Sequence, residues 1–207
     1  MDKVLEGGLK ALSVAEFETI AEETDAVIID TRSEHDFVKG FIPNSIFIGV
    51  DGSFANWVGT ILKDVKTPII FVANEGREEE VAVRMARIGF DNTLGFLKGG
   101  IEAWNEAGKQ TESIESVDVK HFASEHHNNR TNILDVRRAS EYGSQHITEA
   151  TNTPLDYYED ELAKINLITG LYHIYHFRKG DIATKVFIKT LLNFYTSLEV
   201  SDLSLWD

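Results

Sequence analysis

The stretch Pro68-Ile-Ile-Phe-Val-Ala73-Asn-Glu-Gly-Arg77-Glu-Glu-Glu80 decides the fold of this chain. Its apolar start predicts a buried strand, residues 73–77 a short loop, and the run of glutamates the first turn of a helix. In this arrangement, backbone N–H groups converge on the loop and the helix dipole adds positive potential there. Such a loop can stabilise a thiolate or a bound oxyanion. The chain has no cysteine, so no thiolate can form there.

Short apolar runs alternate with helix-like segments through the first half of the chain. Ser13 followed by Glu16 is the capping-box pattern that opens a helix. Further helices are predicted over 78–88, where Gly89 can end the helix, and around Trp104. Because this alternation is typical of a parallel sheet with helices on its faces, the predicted fold class is α/β. The predicted strands are 26–30, 46–49, 68–72 and 93–97.

The second half of the chain repeats the first at a shift of 105 positions. This shift places Asp135 on Asp30 and Arg137 on Arg32, each pair at the end of an apolar run. A charged residue at the end of a buried strand lies at the edge of the sheet. We interpret all four residues as structural, with each Asp and Arg holding the loop that follows its strand.

The repeat predicts two domains, 1–110 and 111–207, joined by a polar linker over 107–115 that lacks apolar periodicity. The Gly99-Gly100 turn of the first copy has no counterpart in the second, so we interpret the C-terminal part of the second domain as eroded. The elements predicted for the second domain are strands 132–135, 172–175 and 197–200 and a helix over 182–193.

Three further patterns resemble the rhodanese family of sulfurtransferase-like domains. They are Ile28-Ile-Asp-Thr-Arg-Ser-Glu-His-Asp-Phe-Val-Lys-Gly-Phe-Ile-Pro43, Arg84-Met-Ala-Arg-Ile-Gly-Phe90 and Leu97-Lys-Gly-Gly-Ile-Glu-Ala-Trp104. The resemblance covers nearly the whole chain and implies two tandem rhodanese-like domains, each a mainly parallel sheet flanked by helices. More narrowly, Gly40-Phe-Ile-Pro-Asn-Ser and Gly52-Ser-Phe-Ala-Asn-Trp-Val-Gly59 resemble the C-terminal part of metallo-β-lactamase–rhodanese fusion proteins, a group that includes persulfide dioxygenases.

The resemblance implies where a catalytic residue would stand. In active rhodaneses a cysteine begins a six-residue loop, takes up sulfur as a persulfide and passes it to an acceptor. The cysteine position is Ala73 in the first domain, where the loop is one residue shorter, and His176 in the second. Neither residue supplies a sulfur nucleophile, so we predict no catalytic residue. The two vestigial loops are Ala73, Asn74, Glu75, Gly76 and Arg77, and His176, Phe177, Arg178, Lys179, Gly180 and Asp181.

Charged residues around both loops allow more than one interpretation. Glu78, Glu79 and Glu80 stabilise a helix N-terminus by opposing its dipole, or serve as acid or base in an altered site. Arg77 is a solvated or carboxylate-paired loop residue, or an anion clamp. His176 is a polar loop residue without chemistry, or a general base near neutral pH.

The loop of the second domain is basic. Arg178 and Lys179 precede Asp181, which can cap the helix predicted from Ile182. Two cations beside a helix N-terminus predict weak binding of sulfate or phosphate.

Composition excludes several classes of function. The formal charge of −14 comes without a basic stripe, so no nucleic-acid partner is predicted. No apolar run approaches the roughly 20 residues that span a bilayer, so no membrane partner is predicted. The histidines lack the spacing of a zinc site, and neither a metal nor a cofactor is predicted. A cytoplasmic location is the default expectation.

The sequence therefore favours a catalytically silent tandem rhodanese-like module for binding or docking, associated with sulfur metabolism. Its predicted partner is a protein or a missing fused metallo-β-lactamase-like domain. One alternative is the substrate-guiding rhodanese part of a persulfide-handling fusion enzyme. A second alternative, a thiosulfate sulfurtransferase, is opposed by the absence of cysteine.

Overall fold

The computed structural model describes residues 7–117, 132–135, 137–148, 150–154, 157, 172–175 and 183–186. Two compact units divide the chain, Met1–Ser113 and Ile114–Asp207. Each unit contains a five-stranded sheet. In the described part of the chain, no helix is both long and apolar enough to span a bilayer.

The sheet of the first unit is entirely parallel, which confirms the α/β prediction for this unit. Its order is β1-β5-β4-β2-β3. The central strand β4 is buried at every position, which is why its sequence is a continuous apolar run rather than an alternating one. The strands are β1 (Ala11–Leu12), β2 (Val27–Asp30), β3 (Ile46–Phe47), β4 (Ile69–Val72) and β5 (Thr93–Leu97).

Helices follow the strands of this sheet. The predicted capping box opens the first one, because the Ser13 side chain accepts from the Glu16 amide while Glu16 accepts from the Ser13 amide. The predicted end of the fourth is also found, with Gly89 at φ +86°. The helices of the first unit are α1 (Val14–Glu23), α2 (Glu34–Lys39), α3 (Phe54–Leu62), α4 (Glu78–Arg87) and α5 (Gly100–Glu106).

A hydrophobic cluster joins α1 and α5 to one face of the sheet. Phe17 of α1 meets Trp104 of α5 edge-on, with ring centroids 6.2 Å apart. Since side chains alternate along a strand, Ile29, Ile69 and Phe71 point to the opposite face, where they are also fully buried. The sheet is therefore covered on both faces. The cluster consists of Leu12, Phe17, Ile28, Ile42, Ile70, Val72, Leu97, Ile101 and Trp104.

The segment predicted as the linker, 107–115, contains the division between the two units, but it packs on the first unit as far as Glu112. Phe41 and Glu112 exchange two backbone hydrogen bonds of 2.9 Å, and the Trp104 indole donates to the Gln110 carbonyl at 2.9 Å. Lys109 forms an ion pair with Glu18. Backbone pairing of this kind needs no apolar periodicity, so the sequence carried no sign of it.

The second unit has a mixed sheet, which corrects the prediction of a mainly parallel one. The order is β6-β10-β9-β7-β8. Strand β7 is parallel to β8 and β9, whereas β10 is antiparallel to β9 and β6. The strands are β6 (Glu115–Val117), β7 (Asn132–Asp135), β8 (Thr151–Asn152), β9 (Tyr172–Tyr175) and β10 (Ala183–Val186), and the unit includes helix α6 (Ala139–Ser144).

The helix predicted over 182–193 is wrong where β10 lies. The run from Ala183 places β-branched Thr184 and Val186 at alternate positions, which suits a strand, and short apolar runs do not distinguish the two states. Pairing with β9 and β6 satisfies the backbone of β10 on both sides. The strand predicted at 197–200 lies outside the described residues.

Candidate functional site

The candidate site is the loop between β4 and α4, at the carboxyl edge of the parallel sheet. Ala73 follows β4 and is only 5% exposed. The Arg77 amide donates to the Asn74 carbonyl at 3.0 Å, which closes a turn. Gly76 occupies the third position of that turn at φ +82°, a conformation that favours glycine. The predicted order of strand, loop and helix is therefore present.

Residues of two neighbouring loops contact the backbone at the start of the candidate site. The amide and hydroxyl of buried Thr31 both donate to the Val72 carbonyl at 2.8 Å. On another side, a Cβ at Gly100 would come within 3.3 Å of the Ala73 carbonyl oxygen and 3.2 Å of a Glu102 carboxylate oxygen. Gly100 also has φ +59°, so both its backbone conformation and its close neighbours favour glycine there.

The N-terminus of α4 supplies amide donors to this loop. The Val81 amide makes the first intrahelical bond, to the Arg77 carbonyl at 3.1 Å. The amides over 78–80 precede that bond and have no intrahelical acceptor. Arg77 at the N-cap position provides no side-chain cap. The loop can therefore attract an anion, but the residue at its start ends in a methyl group and cannot accept sulfur.

Arg77 is held by two carboxylates. Its guanidinium donates to both oxygens of Asp51 at 2.7 Å and to Glu80 at 2.7 and 2.9 Å. Arg84 contacts the other Glu80 oxygen at 2.6 Å and donates to the Val50 carbonyl at 2.6 Å. Hydrogen bonds from Arg77 lower the pKa of Asp51 and of Glu80, and both carboxylates raise the pKa of Arg77. Arg77 and Glu80 thus neutralise each other.

A buried ion pair stands under the loop after β2. Asp30 is fully buried and Arg32 is 6% exposed. Arg32 donates to the two Asp30 oxygens at 3.0 and 2.7 Å, and again to the Gly40 carbonyl at 2.7 Å. Burial raises the pKa of Asp30, and the hydrogen bonds from Arg32 oppose that rise. We name this arrangement the Asp–Arg brace.

The second unit contains the same brace. Arg137 donates to the two Asp135 oxygens at 3.0 and 2.6 Å and to the Gln145 carbonyl at 2.8 Å. Gln145 lies 105 positions after Gly40, the same shift that relates the two acid–base pairs. Hydrogen bonds that Arg137 donates to Asp135 raise the pKa of Arg137. The carbonyl acceptors were not predictable, since a backbone acceptor leaves no residue type in the sequence.

Strand register relates the two loops. Asp30 of β2 pairs with Val72, the residue before Ala73. Asp135 of β7 pairs with Tyr175, the residue before His176. The loop 176–181 lies outside the described residues, so the roles given to His176, Phe177, Arg178, Lys179, Gly180 and Asp181 stay predictions. The anion site predicted there loses the helix on which it depended, since β10 occupies 183–186.

Other parts of the site were missed at the sequence level. Thr31, Asp51 and Gly100 converge on the loop from three separate segments, and no local pattern marks their contacts. Among the described residues, no group of three or more His, Cys, Asp or Glu side chains could hold a metal ion.

Together, this parallel sheet and its loop define a rhodanese-like fold. A sequence profile of the rhodanese-like domain matches residues 13–107. The chain is 32% identical over 103 residues to the uncharacterised protein YibN of Escherichia coli K12, which covers 49% of this chain and 71% of YibN. YibN of Escherichia coli O6:H1 matches with the same values. The chain belongs to the rhodanese-like domain family.

Several solved structures match part of this chain. A thiosulfate sulfurtransferase from Pseudomonas aeruginosa has 20% identity and a TM-score of 0.44, covering 79% of this chain and 38% of that one. A rhodanese-like domain from Anabaena has 22% identity and a TM-score of 0.43, covering 50% of this chain and 79% of that one.

Proposed function

We propose that this chain is a catalytically silent tandem rhodanese-like module that docks a protein partner in sulfur metabolism. The observation that carries the proposal is Ala73. A methyl group stands between an intact strand end and an uncapped helix N-terminus, where sulfur chemistry needs a thiolate. The scaffold is retained and the nucleophile is absent, so what remains for the domain to do is bind.

The second unit supports the tandem part of the proposal. Both units have the same strand order and the same Asp–Arg brace at a shift of 105 positions. The pairing of β2 with β3 and of β7 with β8 follows the same shift, as Asp30 meets Phe47 and Asp135 meets Asn152. The antiparallel β10 replaces the parallel strand found at that place in the first unit. We therefore treat the second unit as a derived copy of the first.

The ionic contacts of the first loop favour docking over an altered chemistry. Glu80 is engaged by Arg77 and Arg84, which hold its carboxylate ionised and paired and so oppose a role as an acid. Arg77 is engaged by Asp51 and Glu80, which weakens the case for an anion clamp. A fused metallo-β-lactamase-like domain as the partner remains part of this proposal. So does weak sulfate or phosphate binding by Arg178 and Lys179, now through their side chains alone, since β10 stands where the helix was predicted.

The chemical half of the proposal is tested by sulfur transfer. The purified full chain, given thiosulfate and cyanide, should form sulfite and thiocyanate no faster than the buffer blank, because neither unit offers a thiolate. An active sulfurtransferase in the same assay is the positive control. Turnover that scales with protein concentration and survives repurification would contradict the proposal.

The docking half needs a separate experiment. The full chain is used as bait in its source cell, and recovered proteins are quantified against the bait. One protein recovered at a stoichiometric ratio supports docking, and its sequence shows whether it carries a metal-binding domain. Recovery of background proteins alone contradicts docking.

A further inference from the structure

A second surface of the first unit is a cleft between the start of α3 and the C-terminal half of α4. Its volume is about 260 Å³, it opens to solvent, and none of its lining residues belongs to the loop 73–77. One of its lining residues, Phe54, is almost fully buried. The lining includes Gly52, Phe54, Ala55, Arg84, Arg87 and Ile88.

The charge of the cleft is opposite to that of the chain. Among the described residues, no carboxylate lines it, although the chain has 34 acidic and 20 basic residues. Arg84 and Arg87 lie three residues apart on one face of α4, where like charges disfavour each other. Arg84 is compensated by Glu80. The side chain of Arg87 is exposed and, within the described residues, forms no hydrogen bond or ion pair.

We propose that this cleft docks an acidic peptide segment of the partner, with one apolar side chain against Phe54, Ala55 and Ile88 and a neighbouring carboxylate on Arg87. This inference rests on the proposed docking function and specifies the kind of partner segment, one that is acidic and carries an apolar side chain. An arginine fork suits a carboxylate, and the apolar floor suits an aliphatic side chain. The open cleft is smaller than the roughly 300–1,000 Å³ typical of small-molecule pockets, which favours a side chain of a peptide.

The test uses a defined probe, the capped peptide acetyl-Gly-Glu-Leu-Glu-Gly-amide, titrated into the isotope-labelled full chain. Backbone amide shifts should move over 52–56 and at Arg87 and Ile88, with a Kd on the order of 1 mM. Replacing the peptide leucine by glycine, or both glutamates by glutamine, should weaken binding about tenfold, because each change removes one of the two contacts.

Two variants of the chain separate a local contact from general attraction. Arg87→Gln should raise the Kd about tenfold, whereas Lys66→Gln, which removes the same charge from an exposed loop, should leave it unchanged. Equal weakening by both variants overturns the proposal, as does an absence of shifts in the cleft at up to about 10 mM peptide. If Arg87 only stabilises the C-terminus of α4, Arg87→Gln lowers the free energy of unfolding without changing the Kd of the peptide. That result also overturns the proposal.

Affinity capture with both baits shows whether the cleft proposal alone is wrong or the docking proposal itself is wrong. If Arg87→Gln bait recovers the partner as well as the unchanged chain does, docking stands and the cleft is not its surface. If neither bait recovers a partner, docking itself fails. If Arg87→Gln alone loses the partner while the peptide data show cleft binding, both proposals are supported.

Discussion

At the scale of single residues, Ala73 decides the chemistry that this protein lacks. The residue lies where amide donors and a helix dipole would stabilise a negative charge. Two effects oppose each other at this position. Burial disfavours a charged side chain, whereas the uncapped amides of α4 favour one. Since Arg77 and Arg84 neutralise Glu80, fewer unpaired acids oppose an anion than the run of glutamates predicts.

Ala73→Cys should therefore introduce a thiol with a pKa of about 7–8, below the ~8.5 of free cysteine. The chain has no other cysteine, so thiolate absorbance against pH measures this group alone. Ala86→Cys, near the other end of α4, is the matched control and should titrate at or above ~8.5, because the dipole has the opposite sign there. A pKa at or above that of the control would show that burial outweighs the amides.

At the scale of elements, the short strand β1 depends on one glycine of β5. Gly95 has φ +147°, and a Cβ there would lie 2.5 Å from the Lys10 carbonyl oxygen. That carbonyl accepts from the Phe96 amide at 3.0 Å. A side chain at Gly95 would therefore disturb the pairing of β1 with β5. A strand of two residues has little other support. Gly59 differs, because it lies in α3 with open space around its Cα.

Two alanine substitutions should then have opposite effects on stability. Gly95→Ala should lower the free energy of unfolding by about 1–3 kcal/mol, since backbone must move. Gly59→Ala should raise it by about 0.5–1 kcal/mol, because an exposed helical position loses less chain entropy with alanine. Urea denaturation followed by circular dichroism measures both. An unchanged midpoint for Gly95→Ala would mean that β1 does not pack closely on β5.

At the scale of the whole molecule, the repeated Asp–Arg brace relates the two units. In each unit one arginine joins the end of a strand to a carbonyl eight positions further along the chain. All four charged groups are nearly buried. Removing one partner from such a pair leaves a buried charge without compensation, which costs far more than an exposed pair contributes.

Arg32→Met and Arg137→Met should each destabilise by about 3–5 kcal/mol. Hydrogen exchange locates the effect, with faster exchange in β2 for the first variant and in β7 for the second. Arg87→Met changes an exposed arginine outside both braces and is the control, with an expected effect within about 0.5 kcal/mol. If Arg137→Met behaves like this control, the second brace does not stabilise its unit and the tandem proposal loses its main support.

Local patterns predicted the first unit well. The capping box at Ser13, the strand–loop–helix order around Ala73 and the glycine at the end of α4 are all short-range features, and all three are present. In the second unit, local patterns did not distinguish a helix from a strand. The run over 183–186 is compatible with helix or strand, and pairing with β9 and β6 decides for strand.

The sequence by itself determined the α/β character of the first unit, the position of its loop and the absence of a sulfur nucleophile. These depend on residue types and periodicity, which are local. Only the tertiary structure decided that Asp51 and Glu80 both accept hydrogen bonds from Arg77. It also decided that Gly100 lies close to the Ala73 carbonyl and that the Glu112 backbone pairs with Phe41. Each of these contacts joins segments that are distant in the chain or uses a backbone group. Contacts of either kind leave no pattern in the order of residues.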